Sequence, residues 1–214
     1  GVYHDNLLWK YAVGSAISVL SEAKAKKYAA ERSEALKAIG SDYESLIVDF
    51  IGQTKESNDA LQFLNCGTNA EHIEIVRRAS QDDLSFGLPK KYEELFPTFA
   101  DYFSNDFKFE DEATNEYFNE YRRYKVLNKI TDSFVKRAFD FVIPNIYQTR
   151  DSAIAKLQTQ PDTALLVVDA MGAEYMPLLL ALAKRRGMNI ELQTLVTAKL
   201  PTETAFNSIK WNEA

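Results

Sequence analysis

Asp169 and the hydroxyls of Thr202 and Thr204 are the residues of this 214-residue chain whose types and placing could do chemistry. Asp169 directly follows the apolar run Leu165 to Val168, and the threonines stand in "KLPTETAFN", Lys199 to Asn207. A carboxylate just past a strand is a natural ligand for a hard metal ion. A hydroxyl at a helix amino terminus gains from backbone N–H groups, which stabilise negative charge on it or on a phosphate it attacks. Both features have plainer uses. Asp169 could accept hydrogen bonds from loop amides, and Thr202 or Thr204 could be a helix N-cap. Spacing alone leaves both uses open.

The elements that would position these groups are written in the last quarter of the chain. Leu165 to Val168, bounded by Pro161-Asp162 and Gly172, predicts a short strand buried on both faces. "AEYMPLLLALAKRRG" predicts a helix, with Glu174 in its first turn, Pro177 early, Lys184 to Arg186 in its last turn and Gly187 as the stop. "MNIELQTLVTA" predicts a second strand, and "KLPTETAFNSIKW" a loop and a new helix beginning near Thr202. In a right-handed βαβ unit both strands point the same way. Strands centred near Val167 and Leu192 would therefore bring Asp169 and the "LPTET" loop to one sheet edge, where open α/β sheets bind ligands. Residues 160–214 read as the start of an α/β domain that is unfinished at Ala214, because parallel strands need further neighbours.

Residues 1–155 read as a helical domain. Leu7 to about Ile39 is rich in Ala, Leu, Lys and Glu, with Gly40-Ser41 as a stop. Helical stretches follow at Asp42 to Phe50 and Ser57 to Leu64, closing at the turn "NCGTN". Another helix starts at Asn69, with Ile73, Val76 and Arg77 at helical spacing. "YEELFPTFADYFSNDF" is aromatic-rich, and its Pro97 marks an early helical turn or a kink. The longest predicted helix runs from about Ala113 to Phe139. Tyr117, Tyr121, Tyr124, Leu127, Ile130, Phe134 and Ala138 make one apolar stripe along it. Arg122, Arg123, Lys125 and Lys129, with Lys136 and Arg137, decorate the same stretch. They fit a solvated face with acidic partners, or contacts to a phosphate backbone.

Composition narrows the class. The chain is 46% apolar and 12% aromatic, ample for a packed core. A net charge of -6 argues against a dedicated nucleic-acid coating protein, which needs a concentrated basic surface. Cys66 has no second cysteine to pair with, and with His4 and His72 the only histidines there is no zinc-site spacing to read. A reducing, cytoplasmic compartment fits best. No stretch reaches the roughly 18 apolar residues of a membrane span, and "GVYHDNLLWK" lacks the parts of a signal peptide. The chain opens on Gly rather than Met, as expected of an excised piece, a processed chain or the ordered part of something longer.

"LLVVDAMGAEYMPLLL" followed by "LPTETAFN" resembles the start of the alkaline phosphatase superfamily, and within it the PglZ-domain family of bacteriophage-exclusion (BREX) defence systems. "EYFNEYRRYKVLNKITDSFVK" resembles the helical segment that precedes the phosphatase-like core in that family, and "GTNAEHIEIVRR" is similar to a stretch further upstream. The resemblance implies an α + α/β fold: a helical domain, then the first parallel strands of an incomplete alkaline-phosphatase-like α/β core. It implies Asp169 as a metal ligand, Thr204 as the nucleophile, Thr202 as the cap and Asn207 as a residue that orients a phosphate oxygen. It also implies a pair of divalent metal ions, commonly zinc, with manganese or magnesium as alternatives, that neutralise phosphoryl charge. The superfamily's other ligands are Asp and His residues far downstream of the nucleophile, and His4 and His72 match none of them. The expectation is therefore part of a metal-dependent phosphatase or phosphodiesterase of phage defence, inactive by itself. Its partners would be other defence-system proteins and nucleic acid, with no membrane. A non-catalytic scaffold of the defence complex is the alternative. A nucleotide-binding protein using "DAMG" as a phosphate loop would lack the glycine-rich signature.

Overall fold

Thr68, Asp111, Thr131 and Thr149 each start one of the described helices with a side-chain cap. The computed structural model describes residues 58–65, 67–166, 168, 171–190 and 194–199, with a few helical positions between 30 and 52. The chain divides into two compact units, Gly1–Ser104 and Asn105–Ala214.

In the first unit a 3-10 turn, Asn58–Phe63, leads through Gly67 (φ 77°) into helix α1, Asn69–Ala79. Thr68 caps α1 with a reciprocal box: the Glu71 N–H donates to Thr68 Oγ1 at 3.3 Å, and the Thr68 N–H donates to Glu71 Oε2 at 2.9 Å. The inward face of α1 carries Glu71, Glu74, Ile75, Arg78 and Ala79, while Ile73 is 70% exposed. Charge can lie on that face because Glu74 accepts from both Arg77 (2.6 Å) and Arg78 (2.7 Å). Helices α2, Lys90–Leu95, and α3, Pro97–Ser104, are separated by Phe96, which the following proline holds out of the helical region (φ -138°, ψ 76°). Tyr92 of α2 and Phe99 and Phe103 of α3 are buried, and the Tyr92 hydroxyl donates to Asp82 Oδ2 at 2.9 Å. The His72 ring of α1 stacks on Phe96 at 3.8 Å between centroids.

The second unit is built on helix α4, Glu112–Leu127, capped by Asp111, whose carboxylate accepts from the Thr114 N–H at 2.7 Å. Asn128 ends α4 in the left-handed region (φ 48°), and Thr131 caps helix α5, Asp132–Asp140. The single helix expected from Ala113 to Phe139 is thus two helices. "NKITDS" supplies a left-handed C-cap and an N-cap within four residues, and those local signals override the continuous spacing of the stripe. The chain folds back: Phe134 lies against Tyr117, Tyr121 and Tyr124, Phe141 stacks on Tyr117 at 4.2 Å, and Arg137 pairs with Glu120 at 2.7 Å. Ile130, counted in the stripe, falls in the turn and is 65% exposed.

The unit's other described helices are α6, Arg150–Gln158, capped by Thr149, and α7, Met176–Arg185, preceded by a 3-10 turn at Ala173–Tyr175. Arg186 caps the end of α7 and Gly187 follows in the left-handed region (φ 70°), the stop its punctuation predicts.

The α/β core is the main correction. The described residues contain helices and no strand, which overturns the expected parallel strands of an α/β core; Val167 and Leu192, the expected strand centres, lie outside the described residues. Residues 163–166 and 168 are irregular, with Leu166 85% exposed. The residues described on either side of Leu192 are irregular apart from Thr197, which makes an isolated parallel bridge to Thr149 and not to Leu165–Val168. An apolar run forms a central strand only where neighbouring strands satisfy its backbone and helices cover both faces. Thr197 instead finds the backbone of Gln148 and Arg150, donating to one and accepting from the other at 3.0 Å each.

Candidate functional site

The second unit gathers the segments that flank both motifs onto one aromatic platform. Phe107, Phe109 and Tyr147 form its core, with ring centroids of the two phenylalanines 5.5 Å apart and Phe118 of α4 against them. Asn115 of α4 fixes the backbone of Phe109, accepting from its N–H at 2.8 Å and donating to its carbonyl at 3.0 Å. On this platform pack Ala173 and Met176, from the segment after Asp169, and Leu195, from the segment before Pro201.

Polar ties add to each attachment. After Asp169, Glu174 is buried and its Oε1 accepts from Lys125 Nζ of α4 at 2.6 Å. Before Pro201, the Thr197–Thr149 bridge is followed by an ion pair of Lys199 Nζ with Asp151 Oδ2 at 2.5 Å, and Asp151 also meets Arg150 at 3.2 Å. The Lys199 and Arg150 hydrogen bonds hold the Asp151 carboxyl below the usual carboxylate range.

Asp169, Thr202, Thr204 and Asn207 themselves lie outside the described residues. The basic residues of α4 and its end are differently placed from one another. Arg122 is buried: its guanidinium donates to the Asn105 carbonyl at 2.7 Å and to Asn119 Oδ1 at 2.9 Å, and lies over the Phe107 ring. That arrangement ties α4 to the segment entering the platform. Lys125 holds Glu174, with the rings of Tyr175 and Tyr121 at 5.0 and 5.9 Å. Arg123 lies over the Tyr124 ring at 5.5 Å, and Lys129 is exposed beyond the end of α4. Arg122 is thus buried, while Lys125 is exposed and paired with Glu174.

Among the described residues no group of three or more His, Cys, Asp or Glu side chains is placed to hold a metal ion. They therefore supply no complete site for zinc, manganese or magnesium. Also among the described residues, no helix is long and apolar enough to cross a membrane.

Sequence alone marks Glu174 as helix punctuation and Gly172 as the bound of an apolar run, and gives Phe109 and Asn115 no role. A signal was present: "NDFKFEDEATN" places two phenylalanines at alternate positions just ahead of an acidic cap. That pattern marks a short extended segment feeding a helix. The partner of Glu174, 49 positions away, leaves no trace in local sequence. Comparison with protein-family models, curated proteins and solved structures finds no match.

Proposed function

We propose that this chain is part of a metal-dependent phosphatase or phosphodiesterase of the PglZ kind, acting in phage defence in the cytoplasm. In this reading Asp169 contributes one ligand to a divalent metal, Thr204 is the attacking hydroxyl, and Asn207 orients a phosphate oxygen. The observation that supports it is the shared platform: Ala173 and Met176 on one side, and Leu195 on the other, pack on Phe107, Phe109 and Tyr147. The described stretches that follow Asp169 and precede "PTETAFN" in sequence thus share one packing surface. A hydroxyl nucleophile and a metal ligand must be kept together for an in-line displacement to benefit from proximity.

In this reading the chain alone supplies too few ligands for turnover. Purified 214-residue protein should give no release of nitrophenol from a bis(nitrophenyl) phosphate diester with zinc, manganese or magnesium, and only weak metal binding by calorimetry. The parent protein should hydrolyse the diester and lose that activity on Thr204→Ala, while keeping its metal content and melting temperature. A Thr204→Ala parent as active as the wild type would remove Thr204 from the nucleophile role.

A second reading, a non-catalytic interaction module of the defence complex, draws on the exposed apolar side chains of α5 and the segment after it. Phe139 (85%), Val142 (80%) and Ile146 (63%) face outward there. A parent protein with no esterase activity, and whose assembly with other defence components is lost on Phe139→Ser, would favour this reading.

A further inference from the structure

We propose that Lys125, Glu174 and Gly172 form a charge-operated latch that holds the 3-10 turn after Asp169 against α4. The inference goes beyond the hydrolase reading and stands on the unit's own geometry. Glu174 is 6% exposed, yet it sits in a turn of only three residues with few backbone bonds of its own. Its Oε1 takes the ammonium of Lys125 at 2.6 Å, and the Tyr175 ring lies 5.0 Å from the same ammonium. The turn thus grips one cation with a carboxylate and a π-face from adjacent residues.

Gly172 completes the device through space and not through conformation. Its backbone is ordinary extended chain (φ -79°, ψ 164°), which any residue adopts. A Cβ there, however, would lie 2.0 Å from Glu174 Oε2 and 2.7 Å from Glu174 Cδ. The carboxylate folds back over the missing side chain of Gly172 in order to reach Lys125. An alanine at 172 would force the carboxylate out of that position, and a buried carboxylate parted from its cation is strongly disfavoured. Three substitutions at separate atoms, Lys125→Met, Glu174→Gln and Gly172→Ala, should therefore open the same latch.

Native-state hydrogen exchange on the full chain tests this, comparing the amides of Tyr175 and Met176, which donate to the Gly172 and Ala173 carbonyls, with amides of Tyr117 to Tyr124 in α4. Each single variant should speed exchange in the first set at least tenfold and leave the second set within about twofold. The double variant Gly172→Ala/Lys125→Met should be no faster than either single variant, because one contact is lost only once. Lys125→Arg should exchange like the wild type. Wild-type exchange in Gly172→Ala, or effects of Gly172→Ala and Lys125→Met that multiply, would overturn the latch. Should Lys125→Met lose α4 as a whole, the Gly172→Ala and Glu174→Gln proteins decide by the same criterion.

Discussion

Truncating Phe134 to alanine should unlock the α4–α5 hairpin, whereas truncating Ile130 should not. The two side chains are neighbours in the same apolar stripe, but Phe134 is 4% exposed and Ile130 is 65% exposed. Phe134 faces the rings of Tyr124, Tyr117 and Tyr121 with centroids at 5.0, 5.6 and 6.2 Å. Removing a buried phenylalanine costs about 3–5 kcal/mol. The lower end applies here, because α5 has nine residues and one buried side chain, so it can settle towards α4. An exposed isoleucine changes stability by no more than about 0.5 kcal/mol. With a urea dependence of about 1–3 kcal/mol per molar, a loss of about 3 kcal/mol lowers the midpoint by roughly 1–3 M. The assay is urea unfolding of the full chain followed by far-ultraviolet circular dichroism. Equal midpoint shifts for Phe134→Ala and Ile130→Ala would refute the break at Asn128 and restore one continuous helix with a single buried face.

Thr68→Ala should lower stability by about 0.5–2 kcal/mol through loss of the reciprocal cap on α1, measured by the same unfolding curves. Thr68→Ser should retain the stability. His72 is protonated less readily than a free histidine because burial against Phe96 lowers its pKa, with Glu71 opposing. Its contribution is therefore complete above pH 6.5 and is lost as pH falls from there through the lower folded pKa; His72→Phe should flatten the stability profile in that window. For Glu74, burial raises the pKa, but hydrogen bonds and charge from Arg77 and Arg78 outweigh it and hold the carboxyl below 4.5. Its stabilisation is present above that value and lost on further acidification, so Glu74→Gln should remove an acid-sensitive step from the unfolding profile below pH 4.5.

Where the chain bends and caps was legible from sequence alone, because those signals act over four or five residues. Thr68 with Glu71, Pro97 after Phe96, and the span from Glu174 to Gly187 each have the start or stop chemistry written beside the element they control. The same local chemistry was legible at Asn128 and Thr131 and should have outweighed the stripe, since a left-handed cap and an N-cap end and restart a helix whatever the apolar spacing. Which face is buried was not local. Ile73 points outward and Glu74 inward because Arg77 and Arg78 neutralise the carboxylate in place. The apolar run at Leu165 to Val168 carries the composition of a buried strand, but a strand is made by its neighbours, and tertiary structure gave Thr197 to Thr149 instead. The residues that could do chemistry were chosen by type and motif. What brings their flanking segments to Phe107, Phe109 and Tyr147, and Glu174 to Lys125, is packing between positions far apart in sequence, which only the folded chain decides.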